Sequence, residues 1–185
     1  MRQFEYLFTE IIKYEGYYAN IVGDRGGETY MGIARNLHPK WKGWVIIDKY
    51  KLERGKIKWN EKINIPGLLE LVKDFYKKTF YNKYHIALID NDSLKLIIFD
   101  WCVNSGLFAG IKIQKLLNKS FEENLDIDGS IGSITAIAIN RQDPKELFDA
   151  IKKERIAYYQ KIAKLRQNGK FLVGWLRRIN SINYI

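Results

Sequence analysis

Apolar residues in this chain recur at the spacing of an α-helix, and the alternation typical of β-strands is nearly absent. The pattern is clearest over residues 3–14, where it predicts an amphipathic helix with Phe4, Leu7, Phe8, Ile11 and Ile12 on one face. Further helices are predicted over residues 66–81, 93–104, 107–118 and 144–167. Five glycines between Gly16 and Gly32 predict a bent loop or short hairpin. The fold is therefore expected to be mainly α, with a small β-hairpin.

The net charge of the chain limits the classes of possible binding partner but does not select one of them. The 185 residues include 31 Lys and Arg against 21 Asp and Glu, a formal charge of +10. Nucleic acid, bacterial cell wall and acidic lipid are all suitable polyanions, but a lysine-rich solvated surface explains the excess equally well. The N-terminal segment carries Glu5 and Glu10 and does not resemble a secretory signal, so synthesis in the cytoplasm is expected.

Metal-ligating patterns are weak. Cys102 is the only cysteine and lies in an apolar run, where a buried side chain is expected, and His38 and His85 stand apart in the sequence. Asp126 and Asp128 begin like a calcium-binding loop, but the glutamate that closes such a loop is missing. Neither a metal ion nor another cofactor is expected.

Two carboxylates lie in contrasting surroundings. Glu15 continues the apolar stripe of the first helix near its C-terminus, where desolvation and the helix dipole favour the protonated acid. Asp24 lies in the polar glycine loop beside Arg25, which favours the ionised form. Such a contrast is typical of an acid and its charged partner in glycosidic bond cleavage. On its own, however, a glutamate at a helix end is more often a solvated terminus.

Two segments carry a family resemblance. Residues 13–18 read K-Y-E-G-Y-Y and residues 24–33 read D-R-G-G-E-T-Y-M-G-I, and both resemble the signature of family 108 glycoside hydrolases, which are lysozyme-like N-acetylmuramidases. The resemblance extends into a C-terminal part similar to the predicted peptidoglycan-binding region of these enzymes. It implies a lysozyme-like helical fold whose hairpin loop carries part of the active site. With a connection near residues 90–93, we expect a muramidase region over 1–92 and a helical peptidoglycan-binding region over 93–185, packed as one body.

The resemblance also implies roles for three residues. Glu15 corresponds to the catalytic acid of the family motif, although Tyr17 replaces the second glycine of that motif. Asp24 is expected to orient water or stabilise charge, and Thr29 to hold the water or the substrate. Asp24 and Thr29 are separated by four residues, whereas the related phage-type lysozymes have five, so the assignment of Thr29 is the weaker one.

Five further residues are expected to contact the substrate. They are Tyr18, Glu28, Tyr30, Asp100 and Asn104. Glu28 is a rival second carboxylate, with a solvated loop charge or a capping contact as the preferred alternative. Asp100 and Asn104 are spaced to share one helix face, where they either line the cleft or cap and cross-link helix ends. Tyr18 and Tyr30 are expected to stack on sugar faces.

The resemblance implies hydrolysis of the β-1,4 bond between N-acetylmuramic acid and N-acetylglucosamine, without a cofactor. The expected partner is bacterial peptidoglycan, the expected state is monomeric, and release through a holin is expected to bring the enzyme to the wall. A non-catalytic wall-binding or secretion-assisting module is the alternative. Nucleic-acid binding is not expected, because no recognisable motif accompanies the charge.

Overall fold

The helical prediction is confirmed by the computed structural model, which describes residues 2–21, 26–165 and 169–185. These parts of the chain form eight α-helices and one sheet of three short strands. The chain divides into two compact units, Met1–Thr79 and Phe80–Ile185. The fold is therefore mainly α, and the small sheet belongs to the first unit.

Helix α1 spans Arg2–Ile12 and buries the predicted apolar stripe. Its periodic pattern favoured a helix to residue 14, but the last turn tightens. The backbone N–H groups of Tyr14 and Glu15 donate to the carbonyls three residues earlier, at 3.2 and 3.1 Å. Such bonds satisfy carbonyls that the end of a helix leaves unpaired. Glu15 consequently lies in a turn that follows the helix.

The sheet is antiparallel in the order β1 (Tyr18–Ala19), β2 (Thr29–Tyr30) and β3 (Ile33–Ala34). Tyr30 pairs with Ile33, so Met31 and Gly32 form a two-residue hairpin turn. Both have positive φ, 46° and 78°, as a type I′ turn requires. The short hairpin predicted from the glycines is thus present, and its turn is the part that reaches Glu15.

Two helices complete the first unit. Helix α2 spans Gly43–Arg54, a segment that is not among the helices predicted from the sequence. It buries only Gly43, Trp44 and Ile47, which is too narrow a stripe to produce a helical pattern. Helix α3 spans Leu68–Tyr76 and is followed directly by a π-helix over Lys77–Asn82. Tyr76 ends α3 and is buried.

The second unit contains five helices arranged around α4. They are α4 (Asp92–Ser105), α5 (Leu107–Ser120), α6 (Ser133–Asn140), α7 (Pro144–Leu165) and α8 (Gly169–Ser181). Helix α4 is buried all around from Ser93 to Cys102. Asn91 caps it, because its side-chain oxygen accepts a hydrogen bond from the Leu94 N–H at 3.0 Å. In the parts of the chain that the structure describes, no helix is long and apolar enough to span a membrane.

A buried ion triad joins three of these helices. Asp100 on α4 binds Arg155 on α7 at 2.5 Å and Arg178 on α8 at 2.8 Å. Asp100 is 1% exposed and Arg155 is fully buried. Each charge has lost its hydration, so the carboxylate is essential to the two guanidinium groups beside it.

We expect Asp100→Asn to lower the free energy of unfolding by about 3–5 kcal/mol, because two buried cations lose their counter-charge. The matched control is Asp149→Asn, which removes an exposed carboxylate paired with Lys145 on the surface of α7. It should cost about 0.5 kcal/mol or less. Urea unfolding followed by circular dichroism measures both, and equal midpoints for the two variants would contradict the importance of the triad.

Candidate active site

Glu15 lies half-buried against the hairpin turn of the first unit. A Cβ atom added to Gly32 would lie 2.8 Å from Glu15 Oε2 and 2.6 Å from the Tyr76 hydroxyl oxygen. The absence of a side chain at Gly32 therefore allows the carboxyl group and the phenol to approach the same point of the backbone. The Tyr76 hydroxyl donates to the Met31 carbonyl at 2.9 Å, which fixes the phenol against the turn.

The backbone that follows Glu15 is held from two sides. The Tyr17 N–H donates to Asn60 Oδ1 at 3.0 Å, and the Asn60 N–H donates to the Tyr18 carbonyl at 2.7 Å. The Met31 N–H donates to the Tyr17 carbonyl at 2.9 Å. Asn60 adopts φ = 58°, a left-handed conformation that asparagine tolerates better than most residues. These bonds make the turn at Glu15 a fixed part of the sheet.

An apolar cavity of about 560 Å³ adjoins this turn. Ile12 and Tyr17, on either side of Glu15 in the sequence, both line it, together with Met31 from the hairpin turn. Apolar walls exclude water from a bound group and strengthen electrostatic interactions nearby. The cavity offers a mainly apolar place for a ligand near the Glu15 turn, although Glu15 is not among the residues that line it.

Of the other two predicted catalytic residues, the structure describes only one. Asp24 lies outside the described residues, and its role stays a prediction. Thr29 begins β2 and is half-buried, with its hydroxyl 3.5 Å from the Ala19 carbonyl oxygen. A hydrogen bond this long is weak, so the hydroxyl retains capacity for another partner. Its assigned role also stays a prediction.

Glu28 is neither a solvated loop charge nor a helix cap, and that interpretation is wrong. It is 9% exposed, and its two carboxylate oxygens bind Arg35 at 2.5 Å and Lys51 at 2.6 Å. Burial alone would raise the pKa of Glu28, but hydrogen bonds from Lys51 and Tyr18 and the charges of Lys51 and Arg35 outweigh it and lower the pKa. Because both oxygens are engaged, the structure also contradicts the predicted substrate contact of Glu28. Its ion pairs instead link the hairpin to α2.

Tyr18 and Tyr30 are buried, at 5% and 2% exposure. The Tyr30 hydroxyl donates to the Ile63 carbonyl at 3.3 Å. Burial and a hydrogen bond to Glu28 raise the pKa of Tyr18 to about 12. Neither ring presents a full face to solvent, but Tyr18 and Tyr30 each line a cavity of the first unit, and their contact with substrate stays a prediction.

Asp100 belongs to the core of the second unit, and its predicted contact with substrate is wrong because its carboxylate is buried between Arg155 and Arg178. Asn104 is exposed one turn later, and its amide donates to the Asp100 carbonyl at 2.6 Å. Its substrate contact stays a prediction. The sequence alone does not distinguish a structural carboxylate from a catalytic one when the residue lies in a run of aromatic and apolar residues.

The side chains that could bind a metal ion are not grouped into a metal site in the part of the chain that the structure describes. Among the described ranges, no three His, Cys, Asp or Glu side chains are grouped so that they could hold a metal ion. Cys102 is fully buried, as expected, and burial raises the pKa of its thiol.

Comparison with known proteins identifies the family of this arrangement. The sequence profile described as Glycosyl hydrolase 108 matches residues 8–106, which include the Glu15 turn and the hairpin. The chain belongs to the glycosyl hydrolase 108 family. A second profile, Predicted Peptidoglycan domain, matches residues 109–180. This family member is thus a glycoside hydrolase of the lysozyme-like type that acts on peptidoglycan, and the resemblance stated from its motifs is confirmed.

A solved structure shows the same fold. It is described as "Structure of Brucella abortus SagA" and has a TM-score of 0.66 with 20% sequence identity, covering 97% of this chain and 90% of that chain. No curated protein matches the sequence. The predicted boundary at residues 92 and 93 lies between the division of the compact units, after Thr79, and the gap between the two profiles. It stays a prediction.

Gly32→Ala should displace the Glu15 carboxyl group, because the new methyl would overlap Glu15 and Tyr76. We expect wall-clearing activity to fall about 100-fold, the usual effect of a small misplacement of a catalytic group. Gly67→Ala is the matched control, since Gly67 also has positive φ but no atom lies within 4 Å of the added Cβ. Both variants should lose about 1 kcal/mol of stability from backbone strain. Turbidity assays on purified walls measure the activity, and equal loss in both variants would contradict the specific contact.

Glu28 should make stability depend on pH. Its pKa is lower in the folded chain than the ordinary 4.5, so its ion pairs stabilise the fold above that value and are lost as the pH falls through the folded pKa. We expect Glu28→Gln to cost about 2–3 kcal/mol at neutral pH and less at an acidic pH well below 4.5, where the carboxylate becomes protonated in the folded chain. Glu53→Gln is the control, because Glu53 is exposed and only loosely paired with Lys49. Urea midpoints at both pH values test this, and a constant difference between wild type and Glu28→Gln would contradict it.

Proposed function

We propose that this hydrolase is an N-acetylmuramidase that cleaves the β-1,4 bond between N-acetylmuramic acid and N-acetylglucosamine, with Glu15 as the general acid. The observation that carries this proposal is the placement of Glu15. The residue is half-buried, its carboxyl group lies against Gly32 near Tyr76, and the backbone that follows it is held by Asn60 and Met31. A carboxyl group held in one position is what proton donation to a leaving sugar oxygen requires.

The catalytic cycle needs a second group opposite the acid. In our proposal Asp24 orients a water molecule or stabilises the oxocarbenium-like transition state, and Thr29 helps to hold that water or the substrate. The spacing of Asp24 from Glu15 and its polar, glycine-rich surroundings support this role. Glu28 is unsuited to it because its carboxylate already binds Arg35 and Lys51.

The second part of the chain is proposed to hold the enzyme on the wall. The Predicted Peptidoglycan domain profile over residues 109–180 supports this, and the formal charge of +10 suits an anionic polymer. The same observations favour a second candidate function, wall binding without turnover. The two candidate functions can be distinguished at position 15, because cleavage of the glycan requires the carboxyl group of Glu15 and wall binding without turnover does not.

Replacement of Glu15 by Gln keeps the shape of the side chain and removes its proton. We expect clearing of purified walls in a zymogram to fall by about 10²–10⁴-fold, the usual contribution of a general acid. The control is Glu10→Gln, which changes an acid on the surface of α1 that pairs with Lys13 at 2.6 Å. It should clear walls like the wild type.

The products identify the bond. After borohydride reduction, mass spectrometry should find reduced N-acetylmuramic acid at the new chain ends, because a muramidase leaves that sugar with the free reducing end. Reduced N-acetylglucosamine at those ends would contradict the proposed bond. Equal clearing by wild type and Glu15→Gln would remove Glu15 from the mechanism.

A further inference from the structure

A second cavity of the first unit lies behind the strand that follows Glu15. It has a volume of about 720 Å³ and is lined by Tyr18, Asn20, Lys56, Ile57, Lys58 and Trp59. Tyr18 and Ile57 are buried and form its apolar floor, whereas the other four side chains are exposed. An apolar floor with polar and charged walls is the usual construction of a ligand site.

Trp59 is the unusual member of this cavity. All five tryptophans lie in the described part of the chain, and only Trp59 is exposed, at 76%. Its ring has no aromatic or cation partner among the residues whose placement is described. An indole that remains in water beside a cavity gives up the large stabilisation that its burial would bring. A flat ligand that covers the ring would recover it.

Two lysines give the cavity its charge. Ile57 points inward at 4% exposure, and its neighbours Lys56 and Lys58 are exposed. The Lys58 backbone is fixed, because its N–H donates to Glu61 Oε2 at 2.9 Å while Glu61 Oε1 accepts from the Tyr50 hydroxyl. Within the described residues, neither ammonium group forms a salt bridge. The cavity thus offers two exposed ammonium groups beside an uncovered aromatic ring, and the Glu61 carboxylate lies close enough to Lys58 for its backbone N–H and its charge to lower the pKa of Glu61.

The cavity is tied directly to the Glu15 turn. Asn60 follows Trp59 in sequence and is the residue that binds the Tyr17 N–H and the Tyr18 carbonyl. Tyr18 both lines the cavity and lies three residues after Glu15. The segment that carries Trp59 is therefore hydrogen-bonded to the backbone two and three residues after Glu15.

We propose that this cavity is a glycan-binding subsite in which a sugar ring stacks on Trp59 and a carboxylate of the sugar or its stem peptide lies between Lys56 and Lys58. The inference rests on the proposed function, since it names the part of the substrate that the catalytic unit recognises away from the scissile bond. The recognised chemistry is an acidic saccharide strand. Stacking supplies affinity for any sugar, and the two lysines supply preference for acidic ones.

Binding can be measured without hydrolysis in the full chain carrying Glu15→Gln. The probes are a soluble muropeptide tetrasaccharide, which carries stem carboxylates, and chitotetraose, which is neutral. In isothermal titration calorimetry, we expect Trp59→Ala to weaken both probes by about tenfold and Trp59→Phe to retain most of the affinity. The double change Lys56→Gln and Lys58→Gln should weaken the muropeptide by about fivefold and leave chitotetraose unchanged.

The matched control is Leu52→Ala, which truncates an equally exposed apolar side chain on α2 that does not line the cavity. It should leave both affinities unchanged, and thermal melting should show that every variant folds. Unchanged binding in Trp59→Ala, or equal weakening of both probes by the lysine changes, would overturn the subsite. Failure of the proposed catalysis would show differently, as equal wall clearing by wild type and Glu15→Gln, whatever the calorimetry gives.

Discussion

The active region of this hydrolase depends on one close approach, that of the Glu15 carboxyl group to the backbone at Gly32. A carboxyl group directs a proton only if its position is fixed, and a glutamate in a turn is by itself free to rotate. The type I′ turn at Met31 and Gly32 supplies the surface against which it rests, and the Tyr76 hydroxyl approaches the same side of Gly32 while donating to the Met31 carbonyl. Asn60 then fixes the chain that leaves Glu15. The acid that we propose is therefore positioned by the hairpin turn, by Tyr76 and by Asn60.

Buried or partly buried ion pairs stabilise the packing of each of the two units. In the first unit, Glu28 accepts hydrogen bonds from Arg35 and Lys51, and Arg35 also binds Asp48 at 2.6 Å and lies over the Trp44 ring. This network connects the hairpin with α2. In the second unit, Asp100 performs the corresponding task for α7 and α8. Both acids were predicted to contact the substrate, because catalytic and structural carboxylates belong to the same residue types. Only the burial of the side chain and its binding partners distinguish the two roles.

Sequence predicted the features that arise from local spacing. Helix α1, the hairpin and the family motif around Glu15 all follow from residues close together in the chain. Helix α2 could not be predicted, since it buries only three residues. Asn60 was missed for another reason: it acts on Tyr17, 43 positions away, and no local pattern records such a contact. The same holds for Asp100, whose partners Arg155 and Arg178 are brought to it only by the tertiary fold.

The Asp100 triad also affects when the second unit can fold during translation. One of its two guanidinium groups belongs to α8, and the contact spans 78 positions of sequence. Until α8 emerges from the ribosome, α4 carries a carboxylate in its most apolar stretch with only part of its final charge balance. The second unit can therefore reach its native packing only after translation has passed residue 178, whereas the first unit is free to fold earlier.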